Sequence, residues 1–423
     1  MRSGNKRRIL LTIMGVLSWM PRLALAGDEK RQEAVLDRQG DIYEPQGVRT
    51  GLFLLYPKVD VKETGKSNIY ATSSNRVSDW ITTISPSLFF RSDMSRNALN
   101  LKLGADVNRY LNHGDENFTD FELGADGRID VTRDGKITGG GSFKKQHEDR
   151  GSPDSSTADK QQIEYDVLNG FLGASHQLNR VVMKLDGSVD QYSYHDSVHV
   201  DGTTVSNGDR DRNEFNESLR VGYEFQSWYQ VFVQGGMNQK NYRERPSLLF
   251  RDSKGYDAVV GTALDISGLI NGDLYVGYMG QKYSDNRLTD TSGYKAGSTL
   301  RWLPTRLTAV LTSFSRTIKE TTDVQCSGYV STHYGVSVDH EFLRNMIFSG
   351  RIGMTRNDYQ PAAAYTDFVS RKDDIANDGL GVKYKLNGNY WLSMDYDLTN
   401  RSSNIAGSDY RNHQIMVKLT SQM

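Results

Sequence analysis

From about residue 48 onward the chain alternates between apolar and polar positions. Leu99, Leu101, Leu103, Ala105 and Val107 are interleaved with Asn100, Lys102, Gly104, Asp106 and Asn108. Phe121, Leu123, Ala125, Gly127, Ile129 and Val131 are interleaved with Glu122, Gly124, Asp126, Arg128 and Asp130. The pattern returns at Leu219–Phe225, at Leu380–Leu386 and at Tyr390–Leu398. Alternation over five or six positions predicts strands with one apolar and one polar face.

Short turns are expected near residues 92–96, 133–135, 177–179, 226–227, 268–272, 304–305, 342–345 and 387–389. From Asp93 to Gly388 is 295 residues over seven intervals, about 42 each. A propeller blade of that length would hold four strands. Each interval here holds two, of roughly 12–14 residues, enough for the roughly 9–11 a tilted membrane-crossing strand needs. The other hairpin ends, such as 148–160, 195–213 and 359–373, are longer and rich in charge, Gly and Ser. Short turns at one end and long loops at the other predict an all-β fold, a transmembrane antiparallel up-and-down β-barrel. Eight hairpins, a first strand at 50–62 and a last at 409–423 give about 18 strands (16–18). An even count puts both termini on the periplasmic side. A soluble sandwich would alternate equally with its faces reversed. Strand length and the asymmetry of the connections favour the barrel.

The N-terminus supports that choice. Arg2, Lys6, Arg7 and Arg8 precede an apolar stretch from Ile9 to Met20, and Ala24-Leu25-Ala26 is a small-x-small cleavage site. This is the tripartite pattern of a secretory signal peptide. The apolar stretch is short for a membrane anchor, and no Cys follows Ala26 to make a lipoprotein. The expected organisation is a signal peptide at 1–26, a periplasmic segment at 27–47 and an outer-membrane barrel at 48–423. With the signal's five cations removed, the net charge of −1 becomes −1 − 5 = −6. The expected location is the Gram-negative outer membrane, and the expected partners are its lipid and lipopolysaccharide and the barrel-assembly machinery.

Composition removes other classes. Of 423 residues 37% are apolar, and beyond the N-terminus no run approaches the roughly 20 residues of a membrane helix. The 40 Gly and 23 Tyr suit one large sheet better than several soluble cores. A single Cys, Cys326, excludes a disulfide framework, and a near-neutral charge offers nothing to nucleic acid. Trp80, Trp228, Trp302 and Trp391 fall near strand ends, where membrane girdles form. The closing strand carries Ile415, Val417, Leu419, Ser421 and Met423 in one phase, with Met where barrels usually end in Phe or Trp.

Particular residues then carry a family likeness. Gly51-Leu52-Phe53-Leu54-Leu55-Tyr56-Pro57 opens the first strand. Ser67-Asn68-Ile69-Tyr70 follows, then Ser78-Asp79-Trp80-Ile81 and Ile84-Ser85-Pro86-Ser87-Leu88. The chain resembles the type-2 putative β-barrel porin family in these motifs, and in Asp409-Tyr410 with Asn412 before the last strand. It departs in having Lys66-Ser67 where acidic residues are common. The resemblance implies a conduit for exopolysaccharide or capsular polysaccharide, with periplasmic polysaccharide-export components as partners.

By phase, the lumen is expected to be lined by Lys102, Asp106, Glu122, Asp126, Arg128, Asp130, Lys184, Asp186, Asp190, Arg220, Glu224, Lys383, Lys385, Asp395 and Asp397. A mixed lining can hydrogen-bond hydrated solutes and lacks the cationic bias a polyanion would require. A general or substrate-specific diffusion porin for small hydrophilic solutes is the alternative function. Its constriction would come from a long loop, with 195–213 as the candidate. A plugged receptor is disfavoured by the roughly 21 residues between cleavage site and barrel.

No catalytic, metal or cofactor motif emerges. His195 and His199 flank Asp196 without further ligands, and Asp209, Asp211 and Glu214 lack the calcium-loop spacing. Gly139-Gly140-Gly141 precedes no Lys-Ser/Thr and reads as a place of close backbone approach. No G-x-S-x-G elbow is present.

Overall fold

The alternation resolves into a closed wall in a computed structural model, which describes residues 43–155, 159–243, 249–365 and 370–423. The expected signal peptide and residues 27–42 lie outside the described residues. The wall begins with β1 (Phe53–Lys66), β2 (Asp79–Ser92), β3 (Ala98–Tyr110), β4 (Phe118–Asp130), β5 (Gly135–His147) and β6 (Glu164–Leu178). It continues with β7 (Val181–Tyr194), β8 (Arg212–Gln226), β9 (Tyr229–Tyr242), β10 (Ser253–Ile266), β11 (Ile270–Tyr283) and β12 (Thr291–Thr305). It ends with β13 (Thr308–Lys319), β14 (Cys326–Leu343), β15 (Met346–Pro361), β16 (Lys372–Lys385), β17 (Tyr390–Ser403) and β18 (Tyr410–Gln422).

Each strand pairs antiparallel with the next, and β18 pairs back onto β1 from Lys58↔Gln422 to Lys66↔Gln414. Closure gives every strand of the wall a partner on both sides, as a hydrocarbon environment requires of a spanning sheet. Among the described residues no helix is long and apolar enough to cross a membrane.

The eight short connections, 93–97, 131–134, 179–180, 227–228, 267–269, 306–307, 344–345 and 386–389, each overlap or adjoin an expected turn. The first strand lies three residues later than expected. Val48–Thr50 forms its own short strand and folds back on β1, pairing Val48 with Leu55 and Thr50 with Phe53. The reversal uses Gly51 at φ 61°, a conformation that costs a glycine nothing. Inside β2, Pro86 has no N–H to donate, and the β2–β3 pairing lapses between Ile84 and Ser87.

The apolar face points outward. Leu185, Val233, Val276 and Leu380 are each more than half exposed. So continuous an apolar surface is unfavourable in water and matches lipid. Asp60, Thr83, Asn108, Asp397 and Thr420, in the opposite phase, are buried inside the wall. Trp80, Trp228 and Trp302 sit near strand ends with large exposed surfaces, as a girdle requires. Trp391 departs from that expectation. It belongs to the polar phase of β17, and its Nε1 donates to the carbonyls of Tyr43 and Asn387 at the periplasmic mouth.

Val276 lies midway along β11 on the lipid face. Val276→Arg is expected to cost about 2–4 kcal/mol. Urea unfolding in lipid vesicles measures it, and Thr299→Arg on the inner face of β12, opposite Asp273, should cost much less.

Candidate functional site: the lumen and its cover

Eighteen strands about 4.8 Å apart, tilted by about 40°, would enclose a cylinder of roughly 18 Å backbone radius. Such a cylinder would pass a polymer if it were empty. What matters is how far side chains and loops fill it.

The curvature of the wall brings inward side chains on different strands together, and most charges meet an opposite partner. Glu122 lies between Lys102 and Lys144, so one carboxylate joins β3, β4 and β5. Asp106 accepts from Ser85 and lies 3.6 Å from Lys62. Asp126 accepts from Asn100 at 2.9 Å, and Arg128 pairs with Asp130 at 3.0 Å. Lys184 stands in register with Arg220, which donates to Gln234 and, at 2.7 Å, to Asp273 three strands away. Asp186 lies against the bare backbone of Gly173, Asp190 accepts from Asn169, and Glu224 from Gln177. Arg351 on β15 reaches past β16 to Asp395 and Asp397 on β17. Lys383 and Lys385 lie over the Trp391 ring, and Lys385 also pairs with Glu44 of the chain entering the barrel.

Sequence reasoning missed a second set: Lys58–Asp60, Lys295–Asp257, Lys240–Glu320 and the buried cluster of Arg371, Asp373 and Arg401. Period two placed Asp257 and Asp273 inward all along. The signal was blurred because the inner face there also carries apolar residues. Leu303, Ala309 and Ile347 form a buried cluster inside the wall, and Val259 and Met279 are also buried.

Lys383 and Lys418 share a cross-strand row with Ser393 and Lys62, and neither makes an ion pair among the described residues. Reversing both to Glu is expected to move the reversal potential in a KCl gradient toward cation selectivity. An unchanged potential would mean that this row does not face the conducting path.

The extracellular loops interlock. Glu116, in the β3–β4 connection, receives both arms of Arg150, with side chains 1% and 4% exposed. Arg150 also donates to the carbonyl of Asp159. Glu148 receives both Nη groups of Arg210, whose guanidinium lies 4.1 Å above the Tyr194 ring. Burial opposes the charge of Arg210, and Glu148 more than offsets it, raising the pKa. A Cβ at Gly151 would meet the Tyr410 hydroxyl at 2.5 Å, so only glycine fits that approach.

The decisive contact is at Asp154. Its Oδ1 accepts from the Thr321 hydroxyl at 2.7 Å and the Thr322 N–H at 3.1 Å. Asp154 lies between β5 and β6, and Thr321 between β13 and β14. Eight strands separate them in a ring of eighteen, so two connections from nearly opposite sides of the ring meet over the mouth. The contact over the mouth is therefore made by residues 148–155 with 320–322, and not by 195–213, where the constriction was expected. Residues 195–211 instead brace it, with Ser197 bonded to Asp159 and Arg210 to Glu148. That loop sets His199 3.5 Å from the buried Asp159 and His195 on Asp166, so both histidines serve the loop framework. Around the Asp154–Thr321 contact lies a cavity of about 120 Å³, lined in part by Asp154, Tyr194, Arg210, Tyr242 and Glu320.

Cys326 is fully buried beside Tyr329 and Tyr359 at the start of β14. Gly140 is a place of close approach, since a Cβ there would meet the Ala125 carbonyl at 2.4 Å.

A family model described as "Putative beta-barrel porin 2" matches residues 41–423. No curated protein sequence matches the chain. Solved structures similar in fold include OccK2 (OpdF) of Pseudomonas aeruginosa, at 9% identity and a TM-score of 0.47, covering 88% of this chain and 97% of that one. OccK9 (OpdG) of the same organism is 11% identical, with a TM-score of 0.46 and coverage of 88% and 98%. A BenF-like porin of Pseudomonas fluorescens Pf-5 is 8% identical, with a TM-score of 0.44 and coverage of 87% and 99%.

Proposed function

The chain belongs to the family described as Putative beta-barrel porin 2, and from that premise we propose that it is a diffusion porin for small hydrophilic solutes rather than a polysaccharide conduit. It is an outer-membrane barrel of the Gram-negative envelope, a channel rather than an enzyme. The observation that carries the finer reading is the bond from Asp154 across the mouth to Thr321 and Thr322. A growing polymer needs an uninterrupted wide path, whereas small solutes can pass beside a bridging loop. The lining supports the same choice. Paired charges of both signs offer many donors and acceptors and no single-sign field for a charged polymer.

The test is a strain lacking the gene. Small-solute uptake should fall while surface polysaccharide stays at its normal level. Loss of surface polysaccharide with unchanged uptake would overturn the reading in favour of export.

A further inference from the structure

The cavity beside the Asp154–Thr321 contact gathers charge of both signs. Three acids and three cations line it: Asp154, Asp209, Glu320, Arg210, Arg212 and Arg251. Asp154 comes from the β5–β6 connection, Asp209 and Arg210 from β7–β8, Arg251 from β9–β10 and Glu320 from β13–β14, with Arg212 at the head of β8.

Three of the six are neutralised by partners outside the lining. Arg210 gives both Nη groups to Glu148, Arg212 pairs with Glu214 at 2.6 Å, and Glu320 pairs with Lys240 at 2.9 Å. The other three are not. Arg251 directs its donors to backbone carbonyls: Nη1 to Cys326 and Ser327 at 3.0 and 3.2 Å, and Nη2 to Asp323 at 2.7 Å. Asp154 accepts from the neutral Thr321 and Thr322. Asp209 is exposed. Among the described residues none of these three makes an ion pair.

The buried polar atoms divide in the same way. Nε of Arg210 and Oε2 of Glu320 are buried without a hydrogen-bond partner, in side chains only 9% exposed. One lacks an acceptor and the other a donor, and a buried polar group left unpartnered is costly. A solute with a single charge would answer Arg251 or Asp154 and leave the other without a counter-charge. A zwitterion answers both. A volume of about 120 Å³ holds a solute the size of a few waters and not a chain of sugars. Leu249 and Val324 add apolar surface to the lining, where a short side chain can rest.

We propose that this cavity is a recognition site for small zwitterionic solutes of the α-amino acid class, with the carboxylate on Arg251 and the ammonium on Asp154 and the free oxygen of Glu320. The proposal rests on the porin reading and names the solute class that the channel selects.

The test titrates the full chain in mild detergent with three probes of one size, followed by calorimetry. L-Alanine carries both charges, lactate lacks the ammonium and alaninol lacks the carboxylate. Alanine should bind saturably and at least about tenfold more tightly than either analogue. Arg251→Gln, which keeps an amide donor for the backbone carbonyls, should lose the preference for alanine over alaninol and keep that over lactate. Asp154→Asn, which keeps the Oδ1 acceptor for Thr321 and Thr322, should lose most of the preference over lactate and keep that over alaninol. Heat-modifiable gel mobility checks that both variants are folded. Equal parental affinities for the three probes, no saturable alanine binding, or variants that weaken all three probes alike would each overturn the site. Bilayer conductance of the same preparations separates this outcome from the porin reading. A conducting protein without the preference leaves the channel standing and removes only the site. A protein that prefers alanine and does not conduct keeps the site and removes the channel.

Discussion

Excising residues 149–161 and closing the gap with a short Gly-Ser linker is expected to raise unitary conductance at least about twofold. The loop leaves β5 at His147 and enters β6 at Glu164, and residues 148–155 reach out over the extracellular mouth. Asp154 ties it to the β13–β14 connection, and its root is held by Arg150 in Glu116. This loop, rather than the wall, is expected to set the narrowest section. Asp154→Ala separates the tip from the root. It removes the bonds to Thr321 and Thr322 and leaves Arg150 in place. The expected result is a smaller mean increase with added flicker between levels, recorded in planar bilayers. Unchanged conductance in the excision variant would place the constriction elsewhere in the lumen.

Glu116→Ala is expected to release the root of the same loop. The pair Glu116–Arg150 is almost completely buried. Removing one member of a buried pair leaves the other charge uncompensated, at a cost of about 3–5 kcal/mol. Glu116 sits in a loop, so the cost falls on the cover and not on the closed backbone ladder. Amides of residues 148–155 should lose hydrogen-exchange protection, and added protease should cut there. Heat-modifiable mobility of the barrel should remain. Glu116→Gln keeps one acceptor and should fall between the two. Unaltered exchange in Glu116→Ala would show that the loop is held by its other contacts alone.

These effects differ in how far the sequence foreshadows them. The wall is legible because a membrane barrel must alternate with period two and must turn tightly on one side. The runs at Leu99–Val107 and Phe121–Val131 became β3 and β4, and the eight turns sit where their residues implied. Where the inner face turns apolar, as at Val259, Met279 and Leu303, polarity stops marking the lumen, and Asp257, Asp273 and Lys295 went unread. Trp391 was misplaced for a related reason. A tryptophan near a strand end suggests the membrane interface, but its odd position puts it in the polar phase with Ser393 and Asp395. The cover was the least legible part. Loops 148–163 and 195–211 have similar length and composition, and only the three-dimensional closure of the ring brings Asp154 to Thr321, 167 residues away.

Proteoliposome swelling with solutes of graded size tests the central claim most directly. The account predicts that vesicles holding the full chain admit monosaccharides and amino acids and exclude long polysaccharide chains. Vesicles holding the 149–161 excision variant should admit larger solutes than the parent does. Impermeability to every small solute, or free passage of long chains through the intact protein, would contradict it.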